Sequence, residues 1–249
     1  MRLLQLLLSS LCLLISGSLF AETCIECHQT RDKQVLRDWQ QSGHASISCQ
    51  DCHGSDQDSG HKATNARQNS VCTGCHEGSA EHSYRTSKHG VITGLEAKRT
   101  DWSKPLTRGN YRAPGCAYCH MHEGNHNTAR TIDKFDPIQM GFICSGCHSQ
   151  RYANAQLAAG ERLKKIAALK TDEIKTIAQQ AINSGVDEQA VQSLLKQTAQ
   201  KGLKNVRLGS GHQSPDYQWW HGQPALDGML IKMKGLYSEQ LRLGLLKKS

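Results

Sequence analysis

Five copies of one short pattern stand out in this chain: Cys24-Ile-Glu-Cys27-His28, Cys49-Gln-Asp-Cys52-His53, Cys72-Thr-Gly-Cys75-His76, Cys116-Ala-Tyr-Cys119-His120 and Cys144-Ser-Gly-Cys147-His148. Two thiols three positions apart on a helical turn can form thioethers to both vinyl groups of one porphyrin, and the adjacent His then reaches the iron as its proximal ligand. Each copy therefore reads as a c-type haem attachment site, giving five covalent haems. The patterns take ten of the eleven cysteines, and the remaining one, Cys12, lies in an N-terminal leader. A zinc site would use such pairs in twos, and a thioredoxin-like site would use one pair beside a βαβ pattern; five copies each followed by His fit neither.

The sixth position on each iron needs a second ligand or stays open. The chain has thirteen histidines, so eight remain after the five proximal ones. His44 and His89 rank first, because Trp39-Gln-Gln-Ser42-Gly-His44-Ala45 and Tyr84-Arg-Thr-Ser87-Lys-His89-Gly90 share aromatic-x-x-Ser-x-His-small, one device used twice. His61 and His126 follow a haem motif at short range, as His82 does. Such a His would have to pass around a porphyrin edge to reach the far face of its own haem, so a neighbouring haem is the expected target. His212, in Gly209-Ser-Gly-His-Gln-Ser-Pro215, is the fifth choice. His82, His122 and His221 are held in reserve.

The elements that must position these residues fall into three stretches. Met1–Ala21 has a basic start, an apolar run over Leu3–Ile15 and a small-residue exit, the pattern of a cleavable signal peptide that directs the chain to the periplasm. Residues 22–150 hold every haem motif and are poor in large apolar side chains, so haem-wrapping loops and short helices around the porphyrins are expected, with no stable fold for the apo-chain. Residues 151–249 read as a C-terminal region of about three helices packing on the haem domain. The first covers 151–181, with Leu157, Leu163, Ile166, Ala167, Leu169, Ile174 and Ile177 on its apolar side, and it breaks at Asn183-Ser184-Gly185. The second covers Asp187–Lys201, a loop spans Gly209–Pro224, and the last helix covers Ala225–Leu246. The fold class is mainly α, a multihaem cytochrome c with a helical C-terminal bundle.

Charge excludes one class of partner. The net charge of +8 loses one with Arg2 in the leader. Each ferric haem with two ionised propionates and two neutral His ligands adds about −1, which brings the holoprotein to roughly +2. The basic residues are then propionate counter-charge, and no basic stripe or recognition fold accompanies them, so nucleic acid is not expected as a partner.

Several segments resemble the octahaem hydroxylamine oxidoreductase family and its multihaem relatives. Cys24–Ala45 is similar to that family's first haem segment and Ser48–Lys62 to its second. Cys72–Gly90 and Ala113-Pro-Gly-Cys-Ala-Tyr-Cys-His-Met121 with His126-Asn127 resemble the sixth and seventh. Cys144–Tyr152, followed by long helices and a Gly-His-x-x-Pro loop, resembles the eighth. The segments between the second and the sixth are missing, among them the one that bears the family's catalytic haem, and no Cys-x-x-Cys-Lys site is present. The resemblance therefore implies the electron-transfer wiring of that family, a shortened pentahaem form.

Two readings of function follow. In the first, all irons carry two His and the protein passes electrons between a membrane quinol dehydrogenase or other donor and a periplasmic reductase. In the second, one haem keeps an open site and the protein is a hydroxylamine oxidoreductase-like or nitrite reductase-like enzyme acting on a small nitrogen or sulfur compound. Pro215-Asp-Tyr217-Gln-Trp219-Trp220-His221 carries the second reading, because it resembles the place where the family presents a Tyr to its catalytic haem; Tyr217 and His221 would then be the catalytic residues. Packing of the aromatics on a haem face or a subunit interface is the plainer account, and no catalytic residue is assigned in the electron-carrier reading. Redox protein partners are expected in either case; association with a membrane surface or with a second copy of the chain stays open.

Overall fold

The computed structural model describes residues 19–54, 64–128 and 137–247. Most of the leader and His61 lie outside them. The described residues hold helices, turns and loops and no strand, with short helices among the Cys motifs and long helices after them. None of the described helices is long and apolar enough to cross a membrane. The chain divides into two compact units, residues 1–75 with 98–146, and residues 76–97 with 147–249. The chain passes from one to the other three times, inside the third Cys motif, between residues 97 and 98, and inside the fifth Cys motif.

The first unit is built from short, individually capped helices. Asp32 accepts from the amides of Gln34 and Val35 and so starts Lys33–Gln40. Ser48 and Asp51 close a reciprocal capping box at the start of Cys49–His53, which satisfies amides that a five-residue helix cannot satisfy internally. Loops are pinned by side chains: Arg67 donates to the carbonyls of Trp102, Ser103 and Lys104 at 3.1, 3.0 and 2.8 Å. Among the described residues this unit buries few apolar side chains, namely Leu36, Ala113, Ala117 and Ile143. That is the texture expected of a segment whose apolar mass is porphyrin.

The second unit has a side-chain core. Ser149 caps Gln150–Asn183, whose 34 residues end at Ser184 and turn through Gly185 at φ +88°. Asp187 then caps Glu188–Gln197, accepting from the amides of Gln189 and Ala190. Ile174, Ala178, Val191, Leu194 and Met233 form the densest part of the core, with the long helix Gln223–Leu246 closing it. Ala167, Val206 and Leu226 form a second cluster. Two expectations need correction. Ile166 and Leu169 are exposed, because the mixed three- and four-residue spacing widened the apolar face on paper beyond the face that is covered. The Gly209–Pro224 loop is largely helical: Glu188–Gln197 continues through a π-helical turn, Thr198–Leu203, into Lys204–Gly211, and Ser214 caps a further turn, Pro215–Trp219. Gly209 and Gly222 serve close packing instead, since a Cβ on Gly209 would lie 2.8 Å from the Tyr217 carbonyl carbon and one on Gly222 would collide with the Tyr217 carbonyl oxygen; around Gly211 there is open space.

Candidate haem-binding site

Cys24–His28, Cys49–His53 and Cys116–His120 lie on helical turns. The Cys72 and Cys144 motifs begin in the last turn of Asn69–Thr73 and Pro137–Ser145. In the first unit these segments touch in sequence order. Burial, then the nearby Cys24, pushes the Cys49 thiol up, and burial with Cys72 and then Asp51 and Cys75 does the same to Cys52. A hydrogen bond between the thiols of Cys72 and Cys116 pulls Cys72 down to about 7 and pushes Cys116 up. Asn69, at the start of the third motif's helix, accepts from the Cys116 amide at 2.8 Å, and Tyr118 of the fourth motif donates to the Ile143 carbonyl at 3.3 Å, one residue before Cys144. Neighbouring attachment points along the chain are thus neighbours in space.

Among the described residues, proximal and distal candidates come together at His53 with His126 and at His148 with His89. In the first unit His53 and His126 face each other with ring centroids 6.0 Å apart and planes 17° apart. In the second, His148 and His89 have centroids 6.0 Å apart and planes 34° apart. Burial, and then His148, hold the His89 imidazole below its ordinary value, so it stays neutral with a lone pair to give. His126 has its Nδ1 2.7 Å from the Gly124 carbonyl, and His212 has its Nδ1 2.6 Å from the hydroxyl of the buried Ser83. A partner on Nδ1 fixes ring and tautomer so that Nε2 can bind a metal. The same holds for His122, whose Nδ1 is 3.2 Å from the Tyr118 carbonyl.

The two copies of the Ser-x-His repeat share the turn that leads into the serine and diverge after it. Ser42 and Ser87 donate their amides to the carbonyls of Trp39 and Tyr84 at 3.0 and 2.9 Å. Their hydroxyls accept from the amides of His44 and Gly90 at 3.0 and 3.1 Å, and both serines are buried. His44 therefore sits in a turn, whereas His89 sits in the first turn of the helix Lys88–Glu96 that Ser87 caps. Gly90 is small for a reason: a Cβ there would collide with the Tyr84 carbonyl.

A second constellation lies in the second unit. His82 Nδ1 is 3.2 Å from the Tyr217 hydroxyl and 4.0 Å from Asp216 Oδ2, and His221 Nε2 is 3.6 Å from that same oxygen. Tyr217 is buried, and burial with the carboxylates of Asp216 and Glu81 pushes its phenol up. Trp219 and Trp220 are exposed. Asp216 went unnoticed in the sequence; its place five residues before His221, behind the cap Ser214-Pro215, was the available signal.

Residues 21–140 match the family described as seven times multi-haem cytochrome CxxCH. This stretch belongs to the multihaem CxxCH cytochromes. The chain is 33% identical over 116 residues to a probable nitrite reductase-hydroxylamine oxidoreductase fusion protein of Kuenenia stuttgartiensis, a match that takes in 41% of this chain and 14% of that protein. It thus spans about a seventh of that relative's length. A chain of the reducing HAO-like protein complex of Kuenenia stuttgartiensis shares its fold, with a TM-score of 0.59 at 16% identity over 93% of this cytochrome and 87% of that chain. The resemblance read from the haem motifs is borne out: the multihaem cytochrome is related to the HAO-like proteins.

Proposed function

We propose that this is a periplasmic pentahaem c-type cytochrome, exported by a cleaved signal peptide, that passes electrons between redox protein partners through irons closed on both faces by His. The observation that carries the reading is the approach of two imidazole pairs, His53 with His126 and His148 with His89, each with ring centroids 6.0 Å apart. A metal–imidazole bond of about 2 Å on each side of one iron sets two ring centres about 6 Å apart, the separation that both pairs have. When bound, each haem supplies a one-electron iron couple. The chain's own part is to fill both axial positions, which shuts out substrate and water, and to hold neighbouring attachment points close. The remaining irons are assigned His44, His61 and His212 as distal ligands, with His28, His76 and His120 proximal. A relative known as a protein complex supports a protein rather than a small molecule as the partner.

The test is spectroscopic. Electron paramagnetic resonance and optical spectra of the ferric protein should show only low-spin haem, mass spectrometry should find five haems, and the reduced protein should bind carbon monoxide poorly. Stoichiometric carbon monoxide binding at one haem, with hydroxylamine or nitrite turnover abolished by Tyr217→Phe, would replace this reading with an enzyme.

A further inference from the structure

Assigning five distal histidines leaves His82, His122 and His221 without an iron, and two of these three converge in the second unit on one carboxylate. We infer that His82, Asp216 and His221 form a binding site for a first-row divalent cation, separate from the haems. Nδ1 or Nε2 of each His and an Asp216 oxygen lie within 4.8 Å of one another. Asp216 Oδ2 is buried and accepts no hydrogen bond, an orphan acceptor with two imidazole nitrogens 3.6 and 4.0 Å away. A cation drawing these atoms together satisfies that oxygen, and two imidazoles with one carboxylate suit the borderline ions zinc, iron(II) and nickel. Three protein ligands on partly exposed side chains leave coordination positions to solvent, the pattern of an open site.

Local structure holds the ligands in place before any cation arrives. The Asp216 carbonyl accepts from the amides of Trp220 and His221 at 2.8 and 3.0 Å, which folds the turn and brings both side chains to one side. On the other element, Thr86 meets Ser214 through their hydroxyls at 3.1 Å and Ser83 meets His212 at 2.6 Å, pinning the helix Ser79–Arg85 that carries His82 to the turn that carries Asp216. The Tyr217 hydroxyl, 3.2 Å from His82 Nδ1, adds an oxygen beside the cluster. A cation here ties the segment 79–85 to the turn 214–221.

The inference rests on the electron-carrier reading in one respect, that neither His82 nor His221 ligates a haem iron. Haem-loaded protein, stripped of loose metal with a chelator and titrated with zinc by calorimetry, should bind one zinc beyond its haem iron. Asp216→Asn and His221→Ala should each weaken that binding by at least about tenfold while the low-spin haem spectrum stays unchanged. X-ray absorption at the zinc edge of the unaltered protein should show two imidazoles in the first shell. Equal zinc binding by both variants, an all-oxygen shell, or a haem turned high-spin by His82→Ala would overturn the site.

Discussion

At the scale of single residues, the ligand assignment is what decides between a carrier and an enzyme. His126→Ala should turn the second-motif haem from low- to high-spin and His89→Ala the fifth, each read as one new high-spin signal in electron paramagnetic resonance. His122→Ala should produce none, although its Nδ1 is held much as that of His126 is; if it does, the two residues exchange roles. His89 also sets a pH dependence. Its folded value is depressed, so the contribution of its neutral form is fully present above the ordinary 6.5 and is lost only as the pH falls through the lower folded value. The low-spin signal of the fifth haem should therefore persist at a pH just below 6.5, and loss of that signal already above 6.5 would remove His89 as a buried ligand.

At the scale of elements, the turn that precedes each leading distal His is as important as the His itself. Gly90→Ala must push the helix Lys88–Glu96 away from Tyr84, since the new Cβ has no room against that backbone. Overpacking of this kind costs about 1–3 kcal/mol, and here it also moves His89. A lowered thermal midpoint together with a partly high-spin fifth haem is expected; a lowered midpoint with an unchanged spectrum would separate the turn from ligation. This turn was legible in the sequence because its hydrogen bonds are local, from Ser42 and Ser87 to residues two or three positions away. So was the break at Asn183–Gly185, where helix end, positive-φ Gly and the Asp187 cap follow one another. What depends on distant parts of the chain was not legible. Nothing in the composition of 76–97 says that it clusters with 147–249, and the meeting of His82 with Asp216 spans well over a hundred residues. The helix Lys204–Gly211 was hidden by Gly209 and Gly211, since glycine signals a loop to the eye whether it serves a turn or a close approach.

At the scale of the whole molecule, two kinds of stability coexist in one chain. In the second unit it comes from side chains: Ile174 is fully buried among Ala178, Val191 and Met233, and Ile174→Ala should cost about 2–5 kcal/mol, seen as a lower thermal midpoint with haem content unchanged by mass spectrometry. In the first unit the contacts have a different property, which is their order. Cys24 lies near Cys49, Cys52 lies near Cys72, Cys72 bonds to Cys116, and Tyr118 bonds to Ile143, each partner lying in the next motif along or directly beside it. Lengthening a loop adds closure cost only slowly, so contacts made from each motif to the next let structure build up from one end of the exported chain. A polypeptide that reaches the periplasm N-terminus first can seat each haem motif on the one before it, while the second motif's His53 still waits for His126. Biogenesis should therefore be directional. In a pulse-labelled culture, partly loaded chains isolated and mapped by mass spectrometry should carry haem from Cys24–His28 onward in motif order, and a random set of filled motifs would show that the spatial order plays no part in assembly.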